Sequence, residues 1–216
     1  MSLIDLLHME LSTNTQELSE LILNISLVIF LIQFVPQVVH NSKNKEALNN
    51  ISMFTQFSLL IFTLCCIVQI VSLNLDWRFL IIAMGCLIGI TIQQLQISFN
   101  NKRMPEVINL VFVMLITIAI LAIRYKPNIM YTITTILAVL ICFIYWLPQT
   151  YKNHKQKLFT GYCSPFIILA WLGLLCLVIN SFLLCAPPSI RIGLIAVTVT
   201  IPLLIVQKLF YKNSKT

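Results

Sequence analysis

Hydrophobic residues along this chain come in long unbroken runs, not at the two-residue or three-to-four-residue spacing of a half-buried element. Seven runs approach the twenty or so residues that cross a bilayer as a helix: 20–40, 52–74, 79–98, 106–123, 129–151, 164–185 and 190–210. The breaks between them are short and carry charges or Pro, as at Lys43 and Lys45, Asp76 to Arg78, and Pro187–Pro188. The runs are continuous and do not alternate, which excludes a transmembrane β-barrel. The pattern predicts an all-α membrane protein with seven transmembrane helices.

Composition agrees. Hydrophobic residues make up 59% of the chain and charged residues 10%, with mean hydropathy +0.93. A soluble domain carries roughly a quarter charged residues, so the lipid bilayer is this chain's solvent. The net charge of +7 does not imply a nucleic-acid partner, because the bases sit in short segments between apolar runs and not on one face. They bear on topology instead. Ten of the fourteen, Lys43, Lys102 and Lys155 among them, lie after helices 1, 3 and 5 or at the C-terminus. The positive-inside rule makes that side cytoplasmic and puts the N-terminus outside or in a lumen. Asp5, Glu10, Glu17 and Glu20, with no base among the first twenty residues, are the reverse of a signal-peptide n-region. The seven cysteines show no CxxC pair, no metal spacing and no disulfide framework.

The chain repeats itself. PQVVHNSKNKEALNNISMF at 36–54 and PQTYKNHKQKLFTGYCSPF at 148–166 align without a gap at an offset of 112, with seven of nineteen positions identical. Pro36/Pro148, Gln37/Gln149, Asn41/Asn153, Ser52/Ser164 and Phe54/Phe166 are among them. Helices 1–3 and 5–7 are therefore like units, and helix 4 restores the orientation of the second. The result is a 3+1+3 arrangement of two parallel triple-helix bundles, a plan that puts a solute site between the units near mid-membrane. The expected segments are an N-terminal extramembrane stretch 1–19, a first bundle 20–98, the linker helix and its flanks 99–128, a second bundle 129–211, and a cytoplasmic tail 212–216.

Two copies of PQxxxN followed by bases, at equivalent helix ends, resemble the PQ-loop family of cystinosin-like amino-acid exporters, SWEET sugar facilitators and KDEL receptors. Thr160-Gly161-Tyr162 is similar to the family's loop ending, whereas Leu48-Asn49-Asn50 lacks its Gly. Cystine and cationic-amino-acid carriers resemble one another in carrying carboxylates in their later helices. Here helix 6 has Ala170 in that region, and no acid lies deep in any span. Transport tightly coupled to protons is accordingly not expected.

Pro36 and Pro148, each several residues before a helix end, read as hinges, with simple helix termination as the alternative. Gln37 and Gln149 beside them can bond freed carbonyls or reach a solute. Ser26, Gln33 and Gln37 share a stripe on helix 1, Ala138, Tyr145 and Gln149 one on helix 5, and Ser52, Gln56 and Thr63 one on helix 2. Such stripes can bond only to neighbouring helices, or together they can line a polar cavity. The candidate substrate-binding residues are Gln33, Gln56, Tyr145, Trp171 and Asn180, and Asn41 and Asn153 complete the motifs. Gln93, Gln94 and Gln96 read as interfacial, Gly85 and Gly89 as a close helix contact, Trp77 and Arg78 as an interfacial anchor, and His40 and His154 as solvated loop residues.

No HExxH, GxSxG or paired intramembrane carboxylate suggests an enzyme, and no metal or other cofactor is expected. The expected function is a secondary transporter or facilitator for a small polar solute, an amino acid or a sugar, working by alternating access, with a second copy of the chain as an expected partner. A non-transporting receptor of KDEL-receptor type is the alternative. The Ile- and Asn-rich, Gly-poor composition points to a bacterial cytoplasmic membrane, with an endolysosomal membrane as the other location.

Overall fold

Where no water reaches the backbone, a chain must satisfy its own N–H and C=O groups, and a helix does so locally. The computed structural model describes residues 3–100, 115–116, 127–184, 186 and 188–213. The elements are α1 (Leu3–Ile32), α2 (Phe34–Lys43), α3 (Lys45–Asn49), α4 (Met53–Ser72), α5 (Trp77–Asn100), α6 (Pro127–Ile144), α7 (Leu147–Gln156), α8 (Ser164–Leu183) and α9 (Pro188–Asn213). Among the described residues, six stretches are long and apolar enough to cross a membrane: Asn14–Lys43, Met53–Ser72, Trp77–Asn100, Tyr131–Gln156, Ser164–Leu183 and Ile190–Tyr211. They coincide with six of the seven runs, and run 106–123 lies outside the described residues apart from Leu115 and Ile116. α1 already begins at Leu3, so no break in the helix marks the expected boundary at residue 19.

Polarity is inverted relative to a water-soluble fold. Gln37, Gln56, Gln93 and Gln149 are 0% exposed, while Phe54 is 77% and Phe99 86% exposed. Apolar side chains outside and amides inside make lipid the favourable surroundings.

Helix pairing follows the repeat. α5 packs on α1 and α4, and α9 correspondingly packs on α6 and α8. Between units, α1 packs on α8 and α4 on α6. The leading helix of each unit thus meets the second long helix of the other. Two close approaches tighten this core. A Cβ on Gly89 would fall 2.2 Å from the Phe34 ring, which is how α5 comes so near α2. A Cβ on Gly173 would fall 2.8 Å from Phe30, and there Ser26 Oγ donates to the Gly173 carbonyl at 3.2 Å.

Candidate functional site

α1 stops at Ile32 and α6 at Ile144, each four residues before a proline. Proline offers no N–H to that carbonyl and its ring crowds it, so the bend falls where the sequence puts the proline. The chain stays helical through it: Gln33 N–H donates to the Ile29 carbonyl at 3.0 Å, and Tyr145 N–H to the Ile141 carbonyl at 2.9 Å. Beyond the bends, α2 and α7 carry the two motifs.

The motif glutamines join the units. Gln37 Nε2 donates to Asn41 Oδ1 at 2.8 Å and to the Gly161 carbonyl at 3.0 Å, and its Oε1 accepts from Cys163 N–H at 2.9 Å. Gln149 mirrors it, with Nε2 donating to Asn153 Oδ1 at 2.8 Å and to the Asn50 carbonyl at 2.9 Å, and Oε1 accepting from Ser52 N–H at 2.7 Å. Each motif Asn then donates to a glutamine on its own unit's last long helix, Asn41 to Gln96 Oε1 at 3.0 Å and Asn153 to Gln207 Oε1 at 3.2 Å. Those amides return to the carbonyls of Val38 at 3.1 Å and Thr150 at 2.9 Å. Basic side chains finish the contact. His40 Nε2 lies 3.1 Å from the Thr160 carbonyl, and Lys152 Nζ donates to the carbonyls of Asn49 at 2.7 Å and Ile51 at 3.0 Å. The whole forms a twofold polar latch that closes the motif end of the molecule.

Three expectations are corrected here. The copies run at an offset of 112 through the motif but at 111 by the next helix, where Ser52 and Cys163 share the N-cap position. The pairs Ser52/Ser164 and Phe54/Phe166 are therefore out of register. One unit inserts the short α3, while the other turns through Lys157 in the left-handed region at φ 49°. Gln93, Gln94 and Gln96 are not interfacial: the first two are buried, and the third bridges α5 to α2. His40 and His154 lie on α2 and α7, not in loops, and His154 Nδ1 sits 2.9 Å from Tyr211 Oη.

Gly161 needs its missing side chain for a close approach and not for φ. A Cβ there would lie 3.0–3.2 Å from the backbone of Asn50 and Ile51, so the two latch loops touch back to back. One glycine in the pair suffices, and the first copy has Asn50 in its place.

Behind the latch runs a chain of rings. Phe34 meets Phe166 at 5.2 Å, Phe166 meets Tyr162 at 5.6 Å, Tyr162 meets Trp146 at 5.3 Å, Trp146 meets Tyr145 at 5.1 Å, and Tyr145 stacks on Phe62 at 6.1 Å. Offset and tilted pairs at these distances are favourable, and together they plug the interface between the units. On the far side of the plug lies a cavity of about 440 Å³ that reaches the end holding the α4–α5 turn. Phe30, Phe62, Phe79, Cys66, Cys86 and Leu174 line much of it, with Thr63, Gln69, Asn180 and Ser181 as its polar groups. At that end Arg78 pairs with Asp76 at 2.6 Å and also donates to Asn24 Oδ1 at 3.0 Å. The guanidinium hydrogen bonds hold the Asp76 carboxyl below its ordinary pKa.

The residues singled out in the sequence divide four ways. Gln37, Gln149, Asn41 and Asn153 form the latch, and Pro36 and Pro148 set the bends leading to it. Of the five substrate-binding candidates only Asn180 lines the cavity, and its Nδ2 also donates to Ser19 O at 2.8 Å and Oγ at 2.9 Å. Gln33, Gln56 and Tyr145 lie between cavity and latch: Gln33 Nε2 donates to Cys86 Sγ at 3.4 Å, and Gln56 Nε2 to Tyr162 Oη at 3.1 Å. Trp171 lies apart, its Nε1 donating to the Thr198 carbonyl on α9 at 3.1 Å. Sequence reasoning missed Phe34 and Trp146 and gave Tyr162 and Phe166, named only in the loop ending and the repeat, no part in a site; the four come from separate segments and meet only in the fold.

Duplicated apolar helices, joined through reciprocal glutamines and enclosing a cavity, define a multi-pass membrane protein built on an internal repeat. The family model described as "PQ loop repeat" matches residues 18–79 and 130–190, together more than half of the chain. The chain belongs to the PQ-loop family. A comparison with curated proteins gave no match.

Proposed function

We propose that this protein moves a small solute across a membrane by alternating access, as a secondary transporter or facilitator of seven spans in the 3+1+3 plan, with residues 106–123 as the linker helix. One observation carries the reading: a cavity between two like units that extends toward one end, with reciprocal Gln37 and Gln149 bonds joining the units at the other. A site accessible from one side, with a gate made of the symmetry-related ends of both units, is what alternating access needs at each half of its cycle. The excess of bases at the motif end favours a cytosolic latch, and with that orientation a closed latch makes an outward-facing state. Opening requires the two units to rock apart at the motif end, with bending at the prolines.

Receptor function has less support. A peptide-terminus receptor needs charged groups in its pocket, and among the described residues no Asp, Glu, Lys, Arg or His lines the cavity. Reconstitution into liposomes with labelled sugars and amino acids tests the reading. Counterflow of at least one solute without a pH gradient is expected. Failure of all of them, with the protein folded and inserted, would remove the case for transport.

A further inference from the structure

One helical turn inward from the latch lies a second polar layer that the latch does not use. Gln33 is four residues before Gln37, Gln56 four after Ser52, and Gln93 three before Gln96, so each sits about 5 Å deeper than its latch neighbour. Gln33 also touches the cavity wall through Cys86, so the layer lies between cavity and latch. All three side chains are buried, and Gln56 and Gln93 are 0% exposed. They are also incompletely bonded. Gln33 Oε1, Gln56 Oε1 and both amide atoms of Gln93 have no hydrogen-bond partner. A buried amide without partners is costly, and in a native protein it normally marks water or a bound group.

The repeat supplies an internal control. With the structural offsets, the counterparts of Gln33, Gln56 and Gln93 in the other unit are Tyr145, Ile167 and Leu204, all buried. Leu204 is 0% exposed, so the fold accepts a plain hydrocarbon where Gln93 stands. The bonded latch residues behave oppositely: Gln37, Asn41 and Gln96 recur as Gln149, Asn153 and Gln207. The bonded amides of the latch appear twice. The amides of Gln56 and Gln93 appear once, against Ile167 and Leu204.

We infer that Gln93, with Gln33 and Gln56, is a solute-binding residue, and that this layer receives an uncharged, hydrogen-bonding solute on its way from the cavity to the latch. The solute class follows from the surroundings. No Asp, Glu, Lys, Arg or His is among the buried residues described, and a full charge moved into such an interior would have no counter-charge. Amides both donate and accept, as hydroxyl- or amide-bearing solutes require. The inference rests on the transport reading above and names the substrate class and residues it leaves open.

The test uses the full chain in detergent, comparing wild type with Gln93→Leu, which copies its own second unit. Thermal melts are run alone and with D-glucose, glycerol or acetamide as uncharged probes, and with L-glutamate or L-lysine as charged ones. Without probe, Gln93→Leu should melt about 2–4 °C higher, because an unpaired amide has been removed. At least one uncharged probe should raise the wild-type midpoint and leave Gln93→Leu unmoved, while the charged probes move neither. A lower melting point for Gln93→Leu, no shift with any uncharged probe, or equal shifts in both proteins would overturn the inference. Uptake of the same probes into proteoliposomes separates the two readings. Equal uptake by both proteins keeps transport and sinks the role of Gln93. Lost binding in Gln93→Leu, with no uptake by wild type, does the reverse.

Discussion

Replacing Gln149 by Leu tests the latch most directly, because its cost can be counted bond by bond. The substitution keeps the bulk but leaves Ser52 N–H, the Asn50 carbonyl and Asn153 Oδ1 without their partner. Two of these bonds cross between the units and would be replaced by water once the latch opens. The third lies within α7 and is lost in both states. At about 1–1.5 kcal/mol for each crossing bond, low in the range for a buried group left unpaired, closure weakens by about 2–3 kcal/mol. That is a shift of about 30- to 150-fold toward the open state. Cys163 reports it. Its N–H is held by Gln37, its side chain is 8% exposed, and burial pushes its thiol above the ordinary pKa. The thiolate is the reacting form, so closure slows labelling twice, by hiding the sulfur and by keeping it protonated. In a version whose only cysteine is Cys163, Gln149→Leu should react with an impermeant maleimide from the motif side about 30- to 150-fold faster than its parent. Its pH midpoint should fall toward that of a free thiol. Gln37→Leu, the mirror change, should behave alike. If both variants label at the parental rate with the parental pH profile, the glutamines do not hold the gate.

Other expectations follow from the same geometry. Pro36→Ala and Pro148→Ala restore the missing donor at each bend, so they should insert and bind solute normally yet transport roughly tenfold slower or worse; wild-type rates in both would mean the prolines only shape the helices. Gly89→Ala puts a methyl 2.2–2.6 Å from Phe34 ring carbons, so it should lower stability by about 1–3 kcal/mol. Adding Phe34→Leu should recover part of that loss in a thermal melt, and additive losses would argue against the contact. Cysteines placed beside Lys43 and Lys155 should label only from the cytosol and one beside Arg124 only from outside; labelling beside Lys155 on intact cells would invert the assigned topology.

What could be read before folding was whatever local physics settles. Twenty apolar residues in bilayer become a helix, and a proline bends that helix at the carbonyl four residues back, so Ile32 and Ile144 follow from Pro36 and Pro148. The duplicated Pro-Gln pair marked both halves of the latch, but its bonding could not be seen, because each glutamine bonds a loop more than ninety residues away, Gln149 to Asn50 and Gln37 to Gly161. The aromatic plug was hidden for the same reason. Gln93 was misplaced because a glutamine cluster near a helix end suits an interface as well as a core. Only its facing, on the side of α5 that carries Gly89 against Phe34 and Gln96 against Asn41, distinguishes the two.

A usable signal was nonetheless present in the repeat, once the copies are aligned at their helix starts and not across the loop. A gate closed by twofold contacts needs its polar groups in both units, since each glutamine serves the opposite loop. Losing either one would leave a buried N–H and a buried carbonyl unpaired in the partner unit. A solute has no such symmetry. It presents different groups to the two halves, so the residues that read it are free to diverge, with one copy keeping amides and the other packing hydrocarbon. Gln37/Gln149 against Gln93/Leu204 is that contrast in one molecule. On the proposed transport function, it separates residues held by the mechanism of closing from those held by what passes through.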